Sequence, residues 1–243
     1  MLLTRYVDSH CNLHEFSDEE VVELARDYVI VAVSDDLEST LRTLKLAKEH
    51  ENVIACAGVH PWSLDEVSDE EIVEVLKVIE RGEVDCVGEV GLDKVFVPKT
   101  WGRQQVVFRQ FLKAAREQGL PVNVHSPGAW REALDFLRKF DIERAVFHWY
   151  TGPLDLLEEI GKSGYFISAN PAIKIQRKHR EVVSRAPLNM LLTESDGPYE
   201  YRGLRLTPRL LPELVRQVSE IKGVEEERLV EIVKENFRRF IGK

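Results

Sequence analysis

Short apolar runs rich in Val, Ile, Ala and Cys alternate with longer amphipathic stretches along the whole of this 243-residue chain. The runs fall near residues 4–8, 29–34, 53–58, 84–88, 121–125, 144–148, 165–169 and 188–193. Continuous apolar runs of this length suit parallel strands covered on both faces. The stretches at 37–49, 69–81, 100–118, 128–139 and 153–163 carry helical periodicity, as do 209–222 and 225–241, which Gly223 separates. Acids at Asp18-Glu19-Glu20 and Asp69-Glu70-Glu71 mark helix starts, where free N–H groups favour negative charge. Eight alternations predict an α/β chain folded as a single-domain TIM-like (β/α)8 barrel over residues 1–243. No Gly-x-Gly-x-x-Gly turn or phosphate-binding Gly-x-x-x-x-Gly-Lys-Ser/Thr loop is present, which removes the usual nucleotide folds. Repeats, low-complexity tracts and linkers are also missing.

Several of these strands end on an imidazole or a carboxylate. The segments are Asp8-Ser9-His10, Gly88-Glu89-Val90-Gly91-Leu92-Asp93, Val124-His125-Ser126, Phe147-His148-Trp149 and Glu194-Ser195-Asp196-Gly197-Pro198. In a barrel the loops after the strands share one face, so these groups converge there. A divalent cation requires such convergence, because several lone pairs must replace its hydration shell.

His125 and His148 on consecutive strands read as metal ligands. Glu89, between Gly88 and Gly91, can bridge two cations through its two oxygens. Asp196 is expected to bind metal and to accept a proton from an attacking water. His10 reads as a further ligand, with Asp8 on the same strand face as ligand or orienter. Asp93 and Glu194 take supporting roles. Asn12, two residues past His10, offers only a neutral carbonyl oxygen. His60 fits either a contact to phosphate or leaving oxygen, or a structural turn before Pro61. His14 reads as a loop residue, and His50 and His179 as solvated surface.

Composition bounds the rest. The net charge of −9 argues against broad polyanion binding but leaves room for a local basic patch. Of two basic stretches, 174–180 reads as a solvated helix face, while Arg202 and Arg205 leave the last strand and can grip phosphates. Trp62 and Trp149 can stack an exposed base or pack against the rim. Cys11, Cys56 and Cys86 read as small apolar filler in a reduced cytoplasm. A signal peptide and a membrane span are not expected, so the expected location is cytoplasmic.

The strings Asp-Ser-His-Cys-Asn-Leu, Ala-Gly-Val-His-Pro-Trp, Val-Gly-Glu-Val-Gly-Leu-Asp, Pro-Val-Asn-Val-His-Ser, Phe-His-Trp-Tyr-Thr-Gly and Thr-Glu-Ser-Asp-Gly-Pro-Tyr run in order from residue 8. With the terminal Val-Lys-Glu-Asn-Phe-Arg-Arg-Phe-Ile-Gly they cover almost the whole chain, and together they resemble the TatD-type metal-dependent hydrolases and deoxyribonucleases. The resemblance implies an amidohydrolase-superfamily barrel with one or two divalent ions of Mg, Mn or Zn. It implies that His10, Glu89 and Asp196 hold one ion, and Glu89, His125 and His148 the other. The chain departs from the family pattern at Asn12 and Trp62, where second histidines are usual, at Lys94, and at Leu206-Thr207-Pro208. The resulting expectation is a hydrolase of phosphodiesters, with single-stranded DNA or another phosphodiester as substrate. A small amide, lactone or ester is the second expectation, and a metal-binding barrel without turnover, motivated by Asn12, is the third.

Overall fold

The computed structural model describes residues 6–242, and its eight long-range strands run parallel in chain order. They are β1 (Tyr6–Cys11), β2 (Tyr28–Ala32), β3 (Val53–Ala57), β4 (Cys86–Gly91), β5 (Val122–His125), β6 (Ala145–Phe147), β7 (Phe166–Ala169) and β8 (Leu191–Thr193). The last strand returns to the first: the Thr193 hydroxyl donates to the Val7 carbonyl at 2.7 Å and Asp196 N–H to His10 O at 2.9 Å. The result is the TIM-like (β/α)8 barrel that the alternation predicts. Several strand boundaries differ from expectation. β2 stops at Ala32, while β4 runs from Cys86 on to Gly91. β1 runs on to Cys11, and residues 188–190 form a 3₁₀ turn instead of opening β8; residues 4 and 5 lie outside the described part.

The helices are α1 (Asp18–Asp27), α2 (Leu37–Glu49), α3 (Asp69–Glu80), α4 (Trp101–Gln118), α5 (Trp130–Lys139), α6 (Asp155–Lys162), α7 (Arg177–Arg185), α8 (Leu211–Lys222) and α9 (Glu226–Ile241). Ser17 and Ser68 each close a capping box with the glutamate three residues on, satisfying helix-start N–H groups. A hairpin, β9 (Glu200–Tyr201) with β10 (Leu204–Arg205), follows β8. No helix among the described residues is long and apolar enough to cross a membrane.

All residues of β3 to β8 are buried, which is why these strands read as unbroken apolar runs. Alternation still divides them. Ile30 and Ala32 pack outward with Val21 and Leu24 of α1. Val29, Val31 and Val33 join an inner cluster with Ile54, Val146, Phe166 and Leu192, which Phe237, Phe240 and Ile241 of α9 complete. α9 therefore seals the end of the barrel remote from the strand-end loops.

The reading of three unpaired cysteines is corrected at two positions. Cys56 and Cys86 lie directly opposite each other on β3 and β4, with Cα atoms 4.5 Å apart, and form a disulfide. Strand register decides this, and register is not visible in a spacing of 30 residues. Cys11 remains a free, buried thiol.

Candidate metal centre

Glu89 is the hub of the strand-end groups. The β4 ladder is irregular between Val87 and Val90, at the position of Glu89. Its backbone is hemmed in by glycines. A Cβ on Gly58 would stand 2.4 Å from the Glu89 carbonyl, and one on Gly91 1.9 Å from that of His125. No side chain fits at either place. Glu89 Oε1 lies 2.8 Å from His125 Nδ1, 2.9 Å from His148 Nε2 and 3.3 Å from His60 Nε2; its Oε2 lies 3.2 Å from His10 Nε2. His10 Nε2 is also 3.3 Å from Asp196 Oδ1, and the His10 and His148 rings stack 4.0 Å apart.

The outer ring nitrogens decide which imidazoles can ligate. His10 Nδ1 is 2.9 Å from the Asn123 carbonyl oxygen, whose amide group is oriented by donating to Ser9 O. His125 Nε2 is 2.9 Å from Asp93 Oδ2, and His148 Nδ1 faces Glu194 at 3.7 Å. The outer nitrogens of His10 and His125 face acceptors at hydrogen-bond distance and so carry the proton in the neutral ring, which leaves the inner nitrogen a lone pair. His148 Nδ1 is buried without a hydrogen bond and has only the Glu194 carboxylate beside it to favour the same tautomer. His60 is wired the other way. Its Nδ1 accepts from Trp62 N–H at 3.1 Å, so Nε2 carries the proton and faces the site as a donor.

Three lone pairs therefore converge on two carboxylates in a nearly dry space. His125 Nδ1 and His148 Nε2 approach to 3.2 Å, and His10 Nε2 and Glu89 Oε1 are buried without a conventional hydrogen-bond partner. Such a set repels itself unless protons or a cation fill it, and it fits a divalent ion with nitrogen and oxygen ligands. Without metal, protons serve. Burial opposes a charged His148, but Glu89 and Glu194 outweigh both burial and His10 and raise its pKa to about 9. His10 is raised for the same reason, by Glu89 and Asp196 against burial. Burial alone would raise Glu89, yet His148, His60 and His10 hold it well below the ordinary carboxylate value.

The supporting groups are now explicit. Asp93 is fully buried; Oδ2 accepts from His125 and from Trp62 Nε1 (2.7 Å), and Oδ1 from the N–H groups of Val95 (2.7 Å) and Phe96 (2.8 Å). Against its burial these donors lower its pKa to about 2. Glu194 accepts from Ser168 and from Asn170 Nδ2. Asn12 Nδ2 donates to Asp196 Oδ1 at 3.3 Å, so it steadies that carboxylate.

Asp8 is not brought into the ligand set. Its Oδ1 accepts from His10 N–H and Ser195 N–H, and burial raises its pKa to about 7. The β1 ladder is irregular between Asp8 and Cys11, so simple alternation does not aim the two side chains alike. His179, expected on the surface, is fully buried: Nε2 accepts from Asn170 N–H, Nδ1 faces Tyr150 O, and burial lowers its pKa to about 4. His14 is half-buried at the rim beside Asp35, and His50 ends α2 half-exposed.

Above the cluster opens a cavity of about 280 Å³. Trp62 and Phe96 line it after β3 and β4, with rings 5.4 Å apart. Trp149, Tyr199 and Tyr201 line it after β6 and β8. Trp149 and Asp196 hold φ of +38° and +56°, conformations costing about 1–3 kcal/mol each that persist where neighbours over-determine them. Arg202 and Arg205 do not line the cavity. Arg205 reaches Glu20 of α1 at 3.4 Å, whereas Arg202 is exposed over the Tyr201 ring. Sequence reasoning missed Asn123 and Gln176 as well as the wall residues Phe96, Trp130, Tyr199 and Tyr201. Asn123 carried a signal: it is the polar residue inside Pro-Val-Asn-Val-His, where a buried amide needs partners.

The family model described as TatD related DNase matches residues 7–242. The chain belongs to the TatD family. The TatD homologue YjjV from Escherichia coli K12 superposes over 100% of both chains with a TM-score of 0.90 and 27% identity. MJ1582 of Methanocaldococcus jannaschii, named an uncharacterized metal-dependent hydrolase, is 31% identical over 98% of both chains. Human TATDN3, named a deoxyribonuclease, is 28% identical over 98% of this chain and 94% of its own. As a TatD family chain this protein is a metal-dependent hydrolase, and its His, Glu and Asp clusters are the groups able to hold metal.

Proposed function

We propose that the chain is a deoxyribonuclease that hydrolyses phosphodiester bonds of single-stranded DNA. The observation that carries this reading is the wiring of the three imidazoles: His10 and His125 are backed by acceptors, His148 has Glu194 behind it, and all three turn an inner nitrogen toward Glu89. In this reading His125, His148 and Glu89 hold one divalent ion, and His10, Glu89 and Asp196 a second. The bound ion supplies Lewis acidity, polarising a phosphate oxygen and easing loss of a proton from water.

The remaining steps belong to the protein. Asp196 faces the ligand cluster from the cavity wall and accepts the proton of the attacking water. Asn12 and the backbone bond from Asp196 to His10 O fix that carboxylate. His60 presents an N–H through Nε2, suited to a phosphate or leaving oxygen. Trp62 and Phe96 on one side, and Trp149 with Tyr201 on the other, offer ring faces and edges to bases.

A small aromatic amide or ester is the second reading. It is favoured by one observation: no Lys or Arg among the described residues lines the cavity, whose walls are rich in aromatic rings. The test is hydrolysis of labelled single-stranded DNA with Mg²⁺, Mn²⁺ or Zn²⁺. Cleavage that chelation stops, and that His125→Ala and Asp196→Ala each abolish with folding intact, supports the proposal. A well-folded, metal-loaded protein that leaves DNA whole but hydrolyses p-nitrophenyl acetate sinks it in favour of the second reading.

A further inference from the structure

The charges around the cavity mouth are unevenly shared. On the side of β1 and β2 the lip is acidic: Glu15 and Asp35 both line the cavity. Burial, with Asp35 and Asp196, pushes the Glu15 carboxyl upward against the lowering effect of His14, whose Nε2 stands 3.5 Å from Asp35. Strands β5 and β6 stand across the barrel from these two, four places along the sheet.

From β5 round to β8 the lip is aromatic and cationic. Trp149 packs edge-on to Tyr201 at 5.1 Å and donates from Nε1 to Gln176 at 2.7 Å. Arg202 stacks its guanidinium 5.3 Å from the Tyr201 ring at one end. At the other end, Lys178 holds its ammonium 5.3 Å from the Trp130 ring, and Trp130 lines the cavity. Both cations are exposed, and neither has a carboxylate partner among the described residues. Among nearby cations Arg205 reaches Glu20, Arg209 reaches Glu23 and Lys174 reaches Glu213, while Arg177 and Arg180 of α7 are exposed like Lys178. The structure thus separates Arg202 from Arg205, which the sequence treats alike. It also draws Lys178 out of a stretch that reads as plain solvated helix.

We propose that single-stranded nucleic acid enters the cavity across this lip, with bases against Trp149 and Tyr201 and phosphates against Arg202 and Lys178. The acidic lip repels the strand from the β1–β2 side. Aromatic faces with flanking cations are the means by which proteins hold single strands without reading sequence. No Lys or Arg among the described residues lines the cavity, so phosphate steering falls to cations at its rim, where Arg202 and Lys178 stand over rings that line the mouth. The inference rests on the phosphodiester reading given above.

Salt dependence tests it. Each phosphate contact to a single strand releases counterions and contributes about 0.7 to the slope of log affinity against log salt. The measurement is kcat/KM of the metal-loaded enzyme on an oligothymidine strand across a range of potassium chloride. Arg202→Ala and Lys178→Ala should each flatten the slope by about 0.7, and the double variant by about 1.4. Arg202→Lys should restore the slope. Lys139→Ala, which removes an exposed charge from the far end of α5, should leave it unchanged. Efficient cleavage with a wild-type slope in the double variant overturns the lip while leaving the nuclease reading intact. A wild-type enzyme that neither binds nor cleaves the strand, yet hydrolyses p-nitrophenyl acetate, overturns both.

Discussion

At the scale of single residues, Asp93 shows how much one buried carboxylate organises. Its two oxygens receive four donors: His125 and Trp62 on one, the Val95 and Phe96 backbone on the other. Asn at this position must turn its NH₂ toward one pair. Facing His125, it forces the imidazole proton onto Nδ1 and removes the lone pair; facing the loop, it unseats Phe96. Asp93→Asn should therefore weaken Zn²⁺ or Mn²⁺ binding by about 10- to 100-fold, read by titration calorimetry on the folded protein. The protons held by the metal-free centre give a second expectation. His148 keeps its proton up to about pH 9, so an incoming cation must displace it. Apparent metal affinity should rise with pH up to about 9, with proton release visible as a dependence of binding heat on the buffer's ionisation enthalpy. An affinity flat between pH 6 and 9 contradicts this assignment, since the raised pKa requires protonation across that range. The inner and outer nitrogens explain why histidine roles were only partly legible. The chain order showed which imidazoles end strands, but His60 differs from His125 through a backbone N–H that no spacing displays.

Secondary elements carry the next level of argument. Gly58 sits just past β3, where a methyl group would collide with the carbonyl of Glu89. Gly58→Ala should lower stability by about 1–3 kcal/mol and shift Glu89, reducing metal affinity together with Tm. Thermal melts and metal titrations on one preparation separate this from a purely local cost: loss of Tm with unchanged affinity would mean the strand moves without disturbing its carboxylate. The pairing of β3 with β4 also sets cysteine chemistry. Denatured, unreduced protein should show one thiol reactive to Ellman's reagent, from Cys11, and three after reduction; three before reduction would refute the pair. Most elements were legible because apolar runs and helix caps are local signals. α7 was legible too, yet His179 was misread from the polarity of its neighbours. Its spacing from Val182 and Val183 puts it on the buried face, a three- and four-residue rhythm that composition hides. Irregularities between Asp8 and Cys11 and between Val87 and Val90 break the two-residue rhythm; only the second had a signal, in the glycines at 88 and 91.

For the molecule as a whole, closure of the barrel unites groups that stand almost 190 residues apart, such as His10 and Asp196. The overall charge of −9 gave no sign of the local asymmetry at the mouth, because the opposed lips nearly cancel in the sum. The inner core depends on the last helix. Phe240→Ala should cost about 3–5 kcal/mol in a denaturant titration, since the ring packs on Phe166 inside the sealed end. A loss below 1 kcal/mol would show that the end tolerates an opening. That seal has a further consequence during synthesis. Chains emerge from the ribosome N-terminus first, so all eight strands appear before the aromatic stopper that their inner faces require. Until Ile241 is clear of the tunnel, the valines of β2 have no complete core to join. Among the elements described, the helix that completes the inner core is thus the last to be made.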